Sequence, residues 1–149
     1  MIRNIIFCFF LIYAEFCFAD SIPNIQVENF SFYVDSGNLK LNGILCIPSS
    51  SQISEKKVVI MQTPPYPSDA DYHGMYSELA EVFAHSGIAS LRFENRAKNL
   101  NISGEEVTMY NQADDLHDAF LSLKRDRRFA TYKIGLLGHS EGGSAEIGR

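Results

Sequence analysis

Residues 134–143 read Ile134-Gly135-Leu136-Leu137-Gly138-His139-Ser140-Glu141-Gly142-Gly143. A short apolar run ends at Gly138, and a serine follows two residues later, flanked by a second glycine at Gly142. Continuous apolar runs of this length suit a strand covered on both faces of a parallel sheet. Glycines on either side of a turn let neighbouring backbone pass closely. The stretch therefore predicts a buried strand, a sharp turn and the start of a helix.

The preceding chain repeats that rhythm. Val58-Val59-Ile60-Met61 is another short apolar run, and Ile88 to Phe93 a third. Between them, Met75, Leu79, Val82 and Phe83 fall on one face of a helix, and Gly87 stands where a helix C-terminal glycine belongs. Ala113, Leu116, Ala119, Phe120 and Leu123 form a second helical stripe. Asp114, Asp115 and Asp118 are placed early in that helix and Lys124 and Arg125 at its end, an order that complements the helix dipole. Further upstream, Phe30, Phe32 and Val34 alternate with polar positions. A turn cluster, Asp35-Ser36-Gly37-Asn38, leads into a second strand from Leu39 to Ile47. The expected class is α/β: an antiparallel N-terminal hairpin at the edge of a mostly parallel sheet.

Composition limits the function classes. The 149 residues are 46% hydrophobic and 21% charged, with a formal net charge of −5, so a basic nucleic-acid-binding surface is not expected. Met1 to Ala19 has Arg3 near its start, an apolar run from Ile5 to Ala14 and a small residue at its end, the pattern of an export signal. Residues 1–19 are read as a signal peptide and 20–149 as the mature domain, exported to a periplasm or secreted, without stable membrane insertion. Cleavage would remove Cys8 and Cys17 and leave Cys46 as a lone, buried and inert thiol. Oligomeric state is not legible.

The pattern Gly138-x-Ser140-x-Gly142 directly after a buried strand also has chemical content. A serine on a tight strand-to-helix turn lifts its hydroxyl clear of the sheet, and the next backbone N–H, that of Glu141, is directed at a developing oxyanion. The arrangement is a nucleophile elbow. Its bland alternative is a glycine-rich turn with a capping serine, and the strand–turn–helix context favours the elbow.

The segment Ile134 to Gly143 resembles the elbow of α/β-hydrolases, and is most similar to exported bacterial carboxylesterases of the EstD type, in the serine aminopeptidase-like branch. Leu41-Asn42-Gly43-Ile44-Leu45-Cys46-Ile47-Pro48 resembles the second strand of that family. Gly87 to Phe93 resembles the strand leading to its D-x-R-G loop, and Ala113-Asp114-Asp115 the helix before the elbow. The resemblance implies an α/β-hydrolase fold truncated after the nucleophile elbow, and a serine hydrolase acting on carboxylic esters or small acyl amides, with a small-molecule acyl substrate and no cofactor or metal. Ser140 would be the nucleophile, the Glu141 N–H one oxyanion donor, and Gly138, His139 and Gly142 the elbow.

The sequence departs from that family in three places. The loop after Met61 reads Gln62-Thr63-Pro64-Pro65-Tyr66-Pro67, where prolines replace flexible positions and donate no N–H. Tyr66 is the remaining candidate for a second backbone oxyanion donor. In Glu94-Asn95-Arg96-Ala97-Lys98-Asn99, Ala97 and Asn99 stand at positions usually held by glycine, and Ala97 tolerates a positive φ poorly. Finally, the family order is nucleophile, acid, histidine. No histidine follows Ser140, and His139, inside the elbow, cannot turn onto its neighbour's hydroxyl. His73, near the Pro-rich loop, is a minor candidate for a rescue role, while His85 and His117 read as surface residues. The acid and histidine are expected to be missing from this chain. The alternative reading is a catalytically inactive remnant or a small-molecule-binding pseudo-hydrolase. Asp69, Asp71 and His73 have ligand-like spacing but lack the partners a metal site requires.

Overall fold

The computed structural model describes residues 24–49, 56–102 and 106–139. The expected leader Met1–Ala19, and Ser140, Glu141 and Gly142 of the expected elbow, lie outside the described residues.

The first two strands, β1 (Gln26–Val34) and β2 (Leu39–Ile47), form an antiparallel hairpin in which Phe32 faces Leu41 and Val34 faces Leu39. In β1 the expected alternation holds: Phe32 and Val34 are buried and Ser31 and Tyr33 exposed. The connection is a single 3-10 turn, Asp35–Gly37, with positive φ at Asp35, Ser36 and Gly37. Next come β3 (Lys57–Gln62), α1 (Met75–His85), β4 (Ala89–Phe93), a short helix α2 (Arg96–Leu100), α3 (Met109–Arg125) and β5 (Lys133–Gly138).

The five strands lie in the order β1-β2-β4-β3-β5. The β2–β4 pair is antiparallel, and β3 is parallel to β4 on one side and to β5 on the other. The antiparallel edge on a parallel sheet thus agrees with the sequence expectation. Because β3, β4 and β5 run in one direction, their carboxyl ends converge at the same end of the sheet.

Successive strand residues point to opposite faces, so the helices on the two faces bury alternate residues. Leu45, Val58, Ile60 and Leu91 face α3, packing with Leu116, Ala119 and Leu123 in the larger core. Their chain neighbours Cys46 and Met61 face α1, packing with Tyr76, Ala80 and Ala84. β4 is buried at every residue, as a central strand must be. Gly43 sits where β1, β2 and β4 crowd together: a Cβ there would come within 2.7 Å of the Arg92 carbonyl oxygen.

Four expectations need correction. Strand β5, expected to be buried, is the outer strand among the described residues and pairs only with β3, so none of its residues is fully buried and Leu136 is 43% exposed. The buried face of α1 runs through Tyr76, Ala80 and Ala84, while Val82 is 59% exposed. The small alanines let the helix backbone approach the sheet, so that Cys46 Sγ lies 3.8 Å from the Ala80 carbonyl oxygen. The acidic residues of α3 do not lie in its first turn. Helix α3 begins at Met109 under a Thr108 capping box with Asn111, and the basic residues of its last turn are Lys124 and Arg125. Ala97 needs no positive φ: it lies inside α2, whose N-cap Asn95 accepts a hydrogen bond from the Ala97 N–H, and the left-handed residue is Asn101, at φ 54°. His85 and His117 are exposed, and Cys46 is buried and free, as expected. Among the described residues no helix is long and apolar enough to cross a membrane.

Candidate active site

The candidate site lies at the carboxyl end of the parallel strands. Gln62, the last residue of β3, is in register with Gly138, the last of β5. The segment carrying Tyr66 and the one leading to Ser140 thus leave the sheet side by side.

The loop from Thr63 to Gly74 is held from several directions. Thr63, Pro64 and Pro65 are buried, and the Asn95 side-chain amide donates to the Pro64 carbonyl (2.9 Å) while its backbone N–H donates to Ser68 (3.1 Å). Tyr76, fully buried in α1, donates its hydroxyl to the Gln62 carbonyl at 2.6 Å. Arg92, 7% exposed and on the α1 face of β4, donates Nε to Asp71 Oδ1 at 2.8 Å. Asp69 Oδ1 accepts from the backbone N–H groups of Asp71 (3.1 Å) and Tyr72 (2.9 Å). The prolines that sequence reading treats as a loss of oxyanion donors therefore also stiffen a stapled loop.

This folding imposes unusual backbone on Tyr72, His73 and Gly74, with φ of 45°, 58° and 88°. Side-chain-bearing residues adopt this region at a cost of order 1–3 kcal/mol each, and such strain clusters at functional sites. The Tyr72 ring is the centre of an aromatic group: Tyr66 at 6.3 Å, His73 at 5.5 Å, Tyr76 at 5.5 Å and His139 at 5.8 Å between centroids. The hydroxyls of Tyr66 and Tyr72 are hydrogen-bonded at 2.7 Å. Tyr66, His73 and His139 are exposed.

The end of β3 also carries underbonded polar atoms. Gln62 Oε1, Thr63 Oγ1 and Gln112 Oε1 are buried without hydrogen-bond partners, although Gln62 Nε2 donates to the Gln112 carbonyl at 3.1 Å. Unpaired buried polar atoms are uncommon in folded proteins.

Arg96, the arginine of the loop after β4, is structural. It donates Nε and Nη2 to the two carboxylate oxygens of Asp115 at 2.9 and 2.5 Å, and reaches Asp35 at 3.1 and 3.3 Å. Asp115 is 1% exposed. Burial pushes its carboxyl up to about 6, outweighing the opposing pull of Arg96, whose own pKa is raised by that pair. Glu94 accepts from the backbone and side chain of Asn42, at 3.0 and 2.6 Å, and ties β2 to the same end of the sheet.

Solved structures with this architecture are consistent in kind. A dienelactone hydrolase from Anabaena variabilis superposes with a TM-score of 0.67 at 23% identity, over 83% of this chain and 55% of its own. The chain has the α/β-hydrolase fold. An esterase of Pyrococcus furiosus matches at TM-score 0.61 and 20% identity, over 83% of this chain and 46% of its own. A cold-adapted esterase from an Arctic intertidal metagenomic library matches at 0.60 and 14%, over 83% and 54%. The chain spans about half the length of these structures. No family model matches it, and no curated protein is similar to it in sequence.

Among the expected site residues, Gly138 and His139 stand at the end of β5, and Tyr66 is in the loop across from them. Ser140, Glu141 and Gly142 lie outside the described residues. The residues that sequence reading missed are Tyr72, Arg92 and Asp115. The only local signal was Tyr72-His73-Gly74 ahead of a helix, because ring packing and ion pairs join residues distant in the chain. Asp69 and Asp71 spend their oxygens on the loop and on Arg92. Among the described residues no cluster of three His, Cys, Asp or Glu side chains is arranged for a metal ion.

Proposed function

We propose that this chain is the nucleophile-bearing part of a serine hydrolase that cleaves carboxylic esters or small acyl amides through an acyl-enzyme on Ser140. The observation that carries the reading is β5 running into Gly138-His139-Ser140-Glu141-Gly142 in an α/β-hydrolase sheet, its end level with that of β3. The dienelactone hydrolase and esterases of the same fold support it.

In this reading the Ser140 hydroxyl attacks the acyl carbon and the carbonyl oxygen becomes an oxyanion. The Glu141 N–H stabilises that charge, with the Tyr66 N–H as the second donor. One such donor is worth roughly 3–4 kcal/mol of transition-state stabilisation. The Arg92 and Asn95 contacts hold the Tyr66 segment against the carboxyl end of β4, and Asp69 fixes its turn, which is the preorganisation such a donor requires. No histidine follows Ser140 in this sequence, so the general base and its acid partner are not assigned to residues of this chain. The apolar Met1–Ala19 leader supports export, and N-terminal sequencing of the exported protein beginning at Asp20 would bear this out.

The test is labelling with a fluorophosphonate probe. Modification of Ser140, abolished by Ser140→Ala, is expected where a histidine base is supplied to the chain, and only slow labelling of the 149 residues alone, which hold no histidine after the serine. Absence of labelling, or labelling that survives the substitution, overturns the reading in favour of a scaffold that binds small molecules without turnover.

A further inference from the structure

We propose that the surface between the Tyr66–Tyr72 pair and His73 is a binding subsite for a neutral aromatic ring, which would make aryl or benzyl esters the preferred substrate class. The preference in substrate rests on the hydrolase reading above; the binding does not.

Aromatic side chains that serve only the core are capped by other core residues. Here only Tyr76 is fully buried. Tyr66 is 43% exposed, and His73 and His139 are also open to solvent at the carboxyl end of the sheet. Tyr72 and His73 hold left-handed backbone conformations, and the Asp69 carboxylate and the Arg92–Asp71 ion pair keep the segment there. The backbone strain thus holds the half-buried Tyr72 ring against the α1 core with the exposed His73 beside it.

Beside them is a depression of about 160 Å³ bounded by Pro67, Asp69, Asp71, Tyr72 and His73. That is room for about one benzene-sized ring, in a depression open to solvent and lined by carboxylates as well as rings. Aromatic groups add to such clusters by offset or edge contacts at centroid separations of about 4.5–7 Å, the spacing already present around Tyr72. Asp71 is neutralised by Arg92, and Asp69 is engaged with backbone N–H groups. With both carboxylates so engaged neither is left to hold a cation, and an anionic ring would still meet their charge, so the fitting ligand is uncharged. The hydroxyl pair of Tyr66 and Tyr72 offers a hydrogen bond to an ester or alcohol oxygen attached to the ring.

The experiment is a titration of the full chain with benzyl alcohol and, separately, with cyclohexylmethanol, read from the imidazole proton resonances of His73 and His139. Benzyl alcohol is expected to saturate, to shift those signals by its ring current, and to bind about fivefold more tightly than the saturated analogue. Tyr72→Leu should weaken benzyl alcohol binding by about the same factor. Tyr66→Leu, at an exposed position that leaves the Tyr72 turn intact, should do likewise and guards against a folding defect in the first variant. Equal affinity for the two alcohols, no saturable shift, or binding unaltered in Tyr66→Leu overturns the proposal. The two readings separate cleanly: aromatic binding without Ser140 labelling sinks the hydrolase reading alone, and labelling without aromatic preference sinks this subsite alone.

Discussion

The imidazole of His139 lies 5.8 Å from the phenol ring of Tyr72, with an angle of 43° between their planes. His139 immediately precedes the expected nucleophile, and Tyr72 belongs to the segment carrying the second expected oxyanion donor. Whatever holds Tyr72 therefore also sets how the two halves of the site meet.

The Arg92–Asp71 pair is one such restraint. Arg92 is buried on one side and Asp71 is 46% exposed in its side chain. Asp71→Asn leaves the guanidinium without its charged partner. We expect a loss of about 1–3 kcal/mol in urea unfolding and a displaced His139 imidazole resonance. Loss of stability with the His139 signal unmoved would separate this ion pair from the site.

Asp115→Ala should be more damaging, because it leaves Arg96 buried against only the half-exposed Asp35. Breaking a buried pair by removing one partner costs about 3–5 kcal/mol. Chemical denaturation of the variant checks the size, and a change below 1 kcal/mol would show that Asp35 alone satisfies the arginine.

The same residue gives a pH dependence of defined sign. The Asp115 carboxyl is raised in the folded chain from its ordinary 3.8 to about 6. Between those values the folded state binds more protons than the unfolded one. This contribution to stability therefore grows as pH falls through about 6 and is lost as pH rises through it. Asp126 behaves oppositely: hydrogen bonding from Arg128 lowers its pKa, so its contribution is present above 3.8 and lost on further acidification. The thermal midpoint of wild type relative to that of Asp115→Asn should rise as pH falls from 7 to 4, and a difference that stays constant or shrinks would remove Asp115 from the pH dependence.

Thr63 is completely buried and its hydroxyl has no partner. Thr63→Val keeps the shape and removes the unpaired group, which should raise stability by about 1 kcal/mol. If stability falls instead, the hydroxyl has a partner in solution, and the polar patch beside Gly138 is hydrated.

Gly43→Ala forces a Cβ to within 2.7 Å of the Arg92 carbonyl oxygen and 3.1 Å of Phe93 Cβ. The strands must separate there, and a loss of about 1–3 kcal/mol is expected. Calorimetry showing an unchanged midpoint would mean that the β2–β4 junction yields more easily than its spacing indicates.

Much of this architecture was legible in the linear pattern. Period-two alternation marked the hairpin. Short apolar runs marked the central strands β3 and β4 and also β5, which is the half-exposed outer strand beside β3, and the Leu116–Leu123 stripe marked α3. The turn at 35–38 and the glycine after α1 followed from local backbone preference. Helix α1 was found with its stripe partly right: Met75, Leu79 and Phe83 pack against the core and Val82 does not, while the deepest positions are Tyr76, Ala80 and Ala84, where small size lets the helix approach the sheet. Asp115 was assigned to helix-dipole compensation because nothing local distinguishes an acid facing water from one facing a buried arginine.

The sequence by itself determined the elements, the alternating strand–helix order and the place of the Gly138-x-Ser140-x-Gly142 pattern at a strand end. All of these depend on residues close in the chain, whose spacing is set by helical and strand periods. Only the tertiary structure decided that β5 lies beside β3, that Arg96 is anchored by Asp115 and Asp35, and that Tyr72 meets His139. Those relationships join segments whose separation in sequence carries no distance information. They arise when the crossovers bring the carboxyl ends of the parallel strands together, and the side chains there must then satisfy one another's charge and shape.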